Sequence, residues 1–191
     1  VEGVTHQVPR PFMVMATQNP VEFEGTFPLP EAQLDRFLLM ITLGYPTHEE
    51  ELSIIDGQRI SHPIDSLQAI AQGDEVTHLQ EAVRQVYVDN LIKQYIVSLV
   101  EATRSHPDIS LGSSPRGSLA LFRGTQAIAL LRDREFALPD DVKELVVPVL
   151  SHRIIVSAAA RMRGLGAREI ISGIVDSVAV PGAGARDQYR R

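Results

Sequence analysis

Two long apolar segments constrain the fold of this chain more than any other feature of its sequence. They run from Pro11 to Ala16 and from Phe37 to Leu43. A strand with one face in solvent alternates apolar and polar residues, whereas a continuous apolar run is typical of a parallel strand covered by helices on both faces. Two strands alone are marginally stable in water. We therefore expect an α/β architecture over the first part of the chain, in a sheet that needs further strands.

After residue 46 the sequence changes to helical periodicity, so the predicted fold class is α/β followed by all-α. Helices are predicted from the capping box Thr47-x-x-Glu50 to Gln58, from Thr77 to Val86, from Asp89 to Pro107, from Ser114-Pro115, from Pro139, and from Ala167 to Val178. Apolar side chains at helical spacing predict the core. These are Ile92, Tyr95, Ile96, Leu99, Val100 and Thr103, then Val142, Leu145, Val146 and Val149, and finally Ile170, Ile171, Ile174 and Val175.

Composition excludes several classes of protein. The sequence has no cysteine, so it has no disulfides, thiolate metal site or cysteine nucleophile, which fits a reducing cytoplasm. No apolar run approaches the roughly 18 residues of a membrane helix, and no secretory leader is visible. The net charge of −6 argues against nucleic-acid binding. The start at Val1 instead of Met suggests a processed, trimmed or partial chain.

Asn19 follows the first apolar segment in the sequence Ala16-Thr17-Gln18-Asn19-Pro20. Ligands of open α/β sheets collect at the carboxyl edge of the strands, where an amide can orient a water against a phosphate. A turn residue before a proline has the same sequence signature. On spacing alone, the turn is the favoured interpretation of Asn19.

Arg36 ends a short predicted helix from Glu31, directly before the second apolar segment. A guanidinium at this junction could reach the nucleotide of a neighbouring subunit and stabilise transition-state charge, as arginine fingers do. The alternative is a surface ion pair with Asp35 or a nearby glutamate. On spacing alone, the ion pair is favoured.

Arg116 lies in the first turn of the helix that begins at Ser114-Pro115. A helix amino terminus attracts anions, and an arginine there is electrostatically unfavourable unless something negative binds nearby. A phosphate satisfies that requirement, and so does a neighbouring carboxylate.

Other motifs are absent or ambiguous. The sequence contains no Gly-x-x-x-x-Gly-Lys-Ser/Thr phosphate loop, and its six histidines lack metal-ligand spacing, so no metal site is predicted. Four arginines near the end form a basic stretch that could bind an acidic partner, although a solvated face is the favoured interpretation. They are Arg153, Arg161, Arg163 and Arg168.

Several of these segments resemble the MoxR family of AAA+ ATPases. The resemblance is carried by residues 16–20, by Glu22 to Phe37 (E-x-E-G-T-F-P-L-P-E-A-Q-L-D-R-F), and by Leu43-Gly44-Tyr45-Pro46. It continues through Gly112-x-Ser114-Pro115-Arg116, Pro139-Asp140-Asp141-Val142 and Val149-Leu150-x-His152-Arg153. These blocks occur in the family's order and cover nearly the whole chain.

The resemblance implies a partial AAA+ core with a parallel sheet, a P-loop NTPase-like fold, followed by a helical lid. Residues 1–46 would complete the core, with a β-hairpin at 1–11; residues 47–180 would form the lid and 181–191 a flexible tail. Asn19 would be the sensor 1 residue, Arg36 the arginine finger and Arg116 the sensor 2 residue. Asn19 and Arg116 would bind ATP.

The resemblance also implies partners and limits. The full protein would form a homo-oligomer, a hexameric ring, acting on protein clients, with von Willebrand factor A domain proteins as partners. The phosphate loop and the acidic motif that hold ATP and Mg²⁺ would lie upstream of Val1, so this chain alone should be inactive. Two other interpretations stay open: a non-catalytic helical interaction module, and an AAA+ ATPase of the magnesium-chelatase or DNA-remodelling type.

Overall fold

A computed structural model describes residues 3, 5–18, 29–59 and 62–180 of the 191-residue chain. Over these residues the protein is mainly helical, with one small sheet. Two compact units are present. The first comprises residues 1–16 and 41–80, and the second comprises residues 17–40 and 81–191. The division into domains at residues 46 and 180 stays a prediction.

The first unit contains helix α2 (His48–Gly57), a 3₁₀ turn (Pro63–Ser66) and most of helix α3 (Gly73–Val83). The predicted capping box is confirmed at the start of α2. The backbone N–H of Glu50 donates to Thr47 Oγ1 at 3.3 Å, and the Glu50 carboxylate accepts from the backbone N–H of Thr47 at 2.8 Å. Each side chain thereby accepts a hydrogen bond from a backbone N–H that the start of the helix leaves without a partner.

Helix α3 begins four residues earlier than the predicted start at Thr77. Thr77 lies inside the helix, where its hydroxyl donates to the carbonyl of Gly73 at 2.9 Å. The carboxylate of Glu75 accepts from the backbone N–H of Gln72 at 2.6 Å, so it caps the true amino terminus. A threonine hydroxyl can cap a helix start or donate to a carbonyl of the preceding turn, and Thr77 does the second.

The second unit holds six helices among the described residues, and most of its core lies between four of them. Tyr95, Leu99, Leu121, Val142, Val146, Leu150 and Ile171 are almost fully buried there. The helices are α1 (Glu31–Leu34), α4 (Asn90–Ser105), α5 (Pro115–Leu131), α6 (Pro139–Leu150), α7 (Ala158–Met162) and α8 (Ala167–Ser177). The core predicted on α4 and α6 is confirmed at every position, and on α8 Val175 is half-buried while the three isoleucines are buried.

Several short elements of the second unit were not predicted, among them helix α7 (Ala158–Met162). A short antiparallel sheet pairs β1 (Ile109–Leu111) with β2 (Ile155–Val156), and a 3₁₀ turn over Ser151–Arg153 follows α6 directly. Both are too short to have a periodicity in the sequence. The 3₁₀ turn places the side chains of His152 and Arg153 in the protein interior.

The two apolar segments do not form strands in this structure, which corrects that expectation. Residues 12–16 and 37–43 have no ladder partner among the described residues, and most of their apolar side chains are exposed. A strand needs a neighbouring strand for its backbone hydrogen bonds, and among the described residues none pairs with these segments. The backbone N–H of Met40 donates instead to the carbonyl of Pro148, in helix α6, at 2.8 Å. The expected hairpin at 1–11 lies partly outside the described residues, and its described part forms no strand; the expected tail at 181–191 lies outside them.

Candidate functional site

Asp35, at the carboxyl end of α1, is the centre of the site. Its carboxylate accepts hydrogen bonds from Ser114 Oγ at 3.1 and 3.2 Å, from Arg116 Nη1 at 3.2 Å and from Arg153 Nη1 at 3.1 Å. The two arginine contacts are ion pairs, and 19% of the Asp35 side chain is exposed. Three segments that are distant in sequence therefore meet at one half-buried carboxylate.

The amino terminus of α5 positions Arg116. Ser114 is the N-cap residue, and its hydroxyl accepts from the backbone N–H of Arg116 at 3.2 Å. Pro115 follows at the first helical position, where its missing N–H costs nothing and its fixed φ suits the helix. The Arg116 side chain is 55% exposed. Its guanidinium is thus held at a helix amino terminus, with much of its surface open to solvent.

The loop before α5 is fixed against helix α4. The backbone N–H of Ser113 donates to the buried hydroxyl of Thr103 at 3.0 Å, and Nε of Arg104 donates to the carbonyl of Ser113 at 2.9 Å. Gly112 makes this approach possible, because a Cβ there would lie 2.6 Å from Cα of Arg104. The Gly-x-Ser-Pro-Arg sequence therefore has a local physical basis at each of its named positions.

Arg153 and His152 anchor the other side of the site. Only 2% of the Arg153 side chain is exposed, and its Nη2 donates to the carbonyl of Phe37 at 2.5 Å. Nε2 of His152 donates to the same carbonyl at 3.1 Å. Burial lowers the pKa of both side chains, and the negative charge of Asp35 opposes this for Arg153. The buried guanidinium is therefore held by Asp35 together with a backbone carbonyl.

Arg36 lies between these two anchored residues. The side chain of Asp35 and the carbonyl of Phe37 are both bound to other segments, whereas the side chain of Arg36 is exposed. Among the described residues, Arg36 has no ion pair within 4 Å. The surface ion pair with Asp35 that the spacing favoured is absent, because Asp35 binds Arg116 and Arg153 instead.

The structure describes two of the three predicted site residues. Arg116 and Arg36 are brought to the same end of α1, while Asn19 lies outside the described residues. The partner of Arg116 is a carboxylate, which was one of the two possibilities considered for it. The roles of all three residues stay predictions.

Asp35 and Arg153 were missed as candidate site residues. Arg153 was assigned to a basic stretch interpreted as a solvated face, and this was wrong, since the residue is buried against Asp35. The signal that could have identified it is its position directly after the buried face of α6, in the block Val149-Leu150-x-His152-Arg153. Arg163, from the same stretch, pairs with Asp108 at the surface.

The arrangement is suited to an anionic ligand. Two guanidiniums face one carboxylate, so one positive charge at the site has no matching negative charge among the ion pairs of the described residues. The Asp35 carboxylate is an anionic acceptor that binds both the Ser114 hydroxyl and the Arg116 guanidinium. A phosphate oxygen is bound by the same kinds of donor. Over the part of the chain that the structure describes, no group of three or more histidine, aspartate or glutamate residues could hold a metal ion. Within the same residues, none of the helices is long and apolar enough to cross a bilayer.

Two known protein families match parts of this chain. Residues 101–174 match the AAA lid domain family. Residues 1–39 match the ATPase family associated with various cellular activities (AAA). Arg116 and Arg153 fall in the first match, and Asp35 and Arg36 in the second.

Individual relatives are similar over almost the whole chain. YeaC of Bacillus subtilis is 48% identical over 95% of this chain and 57% of its own length. Chaperone MoxR1 of Mycobacterium tuberculosis is 37% identical over 98% of this chain and 52% of its own length, and protein MoxR of Paracoccus denitrificans is 31% identical over 78% and 50%. The chain thus spans about half the length of the curated relatives it matches.

A solved structure supports the fold. The crystal structure of a candidate ATPase from Cytophaga hutchinsonii superposes with a TM-score of 0.83 at 35% identity. The match covers 93% of this chain and 56% of that one. Together, the lid domain, the partial AAA core and the MoxR relatives show that the chain belongs to the MoxR-like AAA+ ATPases, of which it forms part of the core and the helical lid.

Proposed function

We propose that this chain is the lid-bearing part of a MoxR-type ATPase that couples ATP hydrolysis to chaperone-like remodelling or maturation of protein complexes. The chain spans about half of its relatives and its sequence lacks a phosphate loop. Most of the ATP and Mg²⁺ site therefore belongs to residues upstream of Val1, and the chain alone is inactive. The relative named as a chaperone supports the remodelling role.

In this proposal each predicted site residue has one task. Arg116 binds the nucleotide phosphates of the site next to its helix and transmits their presence to the lid. Asn19 orients the attacking water, and Arg36 completes the site of the neighbouring subunit. ATP supplies the phosphoryl group whose transfer releases the energy for remodelling. No other step is assigned to this half of the protein.

The exposure of Arg36 between two anchored residues is the observation that carries the proposal. An arginine finger needs a fixed backbone and a side chain free to reach another subunit, because its effect depends on accurate placement of charge. Asp35 and Phe37 fix the backbone on either side, and the guanidinium has no ion pair within 4 Å among the described residues. This geometry supports a homo-oligomer, for which we propose a hexameric ring.

Partners and location follow from the family. We propose that von Willebrand factor A domain proteins and protein clients bind the ring. A cytoplasmic location is consistent with a sequence that has no cysteine. The net charge of −6 disfavours nucleic acid as the client.

Substitution of Arg36 tests the proposed function. In the full-length protein, we expect Arg36→Ala to lower turnover by about 10³–10⁵-fold, the range for arginine fingers, with little change in nucleotide affinity. Steady-state hydrolysis and titration with a fluorescent ATP analogue measure the two effects separately. The matched control is Arg84→Ala, since Arg84 is exposed and has no ion pair within 4 Å among the described residues. Equal losses of turnover and affinity in Arg36→Ala would contradict a role in the neighbouring site.

A further inference from the structure

We propose that Asp35 is a positioning residue that binds Arg116 when no nucleotide is present and competes with a nucleotide phosphate for it. The inference rests on the proposed function and adds a residue that regulates the same site. It starts from the three donors that meet at the Asp35 carboxylate, namely Ser114, Arg116 and Arg153.

The two arginines at Asp35 are held very differently. Arg153 is 2% exposed, and its Nη2 also donates to the carbonyl of Phe37 at 2.5 Å. Arg116 is 55% exposed, and among the described residues its guanidinium donates a hydrogen bond to Asp35 alone, at 3.2 Å. Arg153 is therefore the permanent counterion of Asp35, and Arg116 is the one that can leave.

Departure of Arg116 leaves the site electrostatically balanced. Asp35 keeps one guanidinium and the Ser114 hydroxyl, so the half-buried carboxylate is not left without partners. With Arg116 bound, two positive charges share one negative charge. An anion that binds Arg116 supplies the missing negative charge, and this makes exchange from carboxylate to phosphate favourable.

Asp35 also connects this exchange to Arg36, the next residue in the chain. The backbone N–H of Arg36 donates to the carbonyl of Gln33 at 3.1 Å, and that of Phe37 to the carbonyl of Leu34 at 3.0 Å, so the chain turns tightly here. A change in the partners of Asp35 therefore acts on the backbone that carries Arg36. The nucleotide state of one subunit is thereby linked to the finger that it offers to its neighbour.

A double-mutant cycle in the full-length protein tests the competition. Asp35→Asn removes the negative charge and keeps an oxygen that accepts from Arg153 and Ser114. We expect it to tighten binding of a fluorescent, non-hydrolysable ATP analogue with Mg²⁺ by about twofold to fivefold, the range set by one exposed ion pair. In the Arg116→Ala background the same substitution should have little effect. Turnover of Asp35→Asn should fall although affinity rises. The neutral amide oxygen holds Arg153 and Ser114 more weakly than the carboxylate does, so Arg36 loses part of its backbone support.

The gain in affinity distinguishes this role from a structural one, since a damaged fold weakens binding. Asp108→Asn is the matched control, because Asp108 has a similar exposed fraction, 21%, and pairs with Arg163 away from the site; its affinity should equal that of the wild type. Asp35→Ser is a second uncharged variant with the same expected tightening.

Three results would overturn the proposal. They are equal tightening with and without Arg116, weaker binding in the Asp35 variants, and failure of both Asp35 variants to fold. If the wild-type protein does not bind the analogue at all, the proposed function itself fails. If it binds and hydrolyses ATP but the cycle shows no coupling, the role of Asp35 alone is wrong.

Discussion

At the scale of single residues, a second carboxylate, Asp141, is buried for structural reasons. Its side chain is 1% exposed and accepts from Arg134 at 2.5 and 2.9 Å, from Arg132 at 3.0 Å and from the backbone N–H of Leu138 at 2.8 Å. Burial raises the pKa of Asp141, but these hydrogen bonds together hold it below its ordinary value of 3.8. The contact with Leu138 also explains why α6 can begin at a residue without a capping side chain.

We predict that Asp141→Asn lowers the free energy of unfolding by about 2 kcal/mol, since it leaves two arginines beside a neutral group. The matched control is Asp140→Asn, one residue earlier in the same helix turn. Asp140 is 84% exposed and pairs with Lys143 at 3.5 Å, so its loss should cost less than about 0.5 kcal/mol. Urea unfolding followed by far-UV circular dichroism measures both. Similar losses in the two variants would show that burial of Asp141 is irrelevant.

At the scale of elements, close approach between α4 and the loop before α5 fixes the start of α5. A Cβ at Gly112 would lie 2.6 Å from Cα and 2.7 Å from the backbone nitrogen of Arg104. Backbone atoms of a packed helix cannot move aside cheaply, so the loop tolerates no side chain at this position. At Gly173, inside α8, a Cβ would meet no atom of the described residues within 4 Å apart from the adjacent residues and backbone of its own helix.

Alanine substitutions at these two glycines should have opposite effects. Gly112→Ala is expected to destabilise the fold by about 1–3 kcal/mol through overpacking. Gly173→Ala should stabilise it by about 0.5–1 kcal/mol, because alanine favours a helix interior and meets no obstacle there. Thermal unfolding midpoints of the two variants measure the difference. An unchanged unfolding midpoint in Gly112→Ala would mean that the loop can move away from α4 at no cost in stability.

At the scale of the whole molecule, the described residues hold two of the three predicted site residues, and the sequence has no phosphate loop. Arg116 can supply one guanidinium to a phosphate, but the sequence has no phosphate loop to cradle it, and the residues that the structure describes hold no group of three or more possible metal ligands. The apolar segments 12–16 and 37–43 are also largely exposed. Under the proposed function, we therefore expect nucleotide binding to need residues of the full-length protein outside this chain.

Titration with fluorescent ATP tests this expectation. The 191-residue chain should show no saturable binding, whereas the protein extended upstream by the missing core should bind ATP and hydrolyse it. Binding by the short chain would show that our account of the missing residues is wrong. If neither form binds, the helical interaction module becomes the better interpretation.

Much of the helical fold could be predicted from sequence, because its signals are local. The apolar stripe on α4, the serine cap of α5 and the capping box of α2 each depend on residues a few positions apart. Arg116 could be selected for the same reason, since its conflict with the helix amino terminus is visible in the sequence. The apolar segments were predicted as strands from their continuous apolar runs. A strand also depends on a neighbouring strand, and none of the described residues pairs with these segments.

The sequence by itself determined the start of α2, α4, α5 and α6, the faces that α4, α6 and α8 bury, and the conflict of Arg116 with its helix amino terminus. Tertiary structure alone decided what the arginines of the site bind. Ser114, Arg116 and Arg153 lie 79, 81 and 118 residues from Asp35 along the chain, and no local pattern relates them. Ion pairs form between charges that folding brings together, so the burial of Arg153, the partner of Arg116 and the exposed position of Arg36 follow from packing around Asp35.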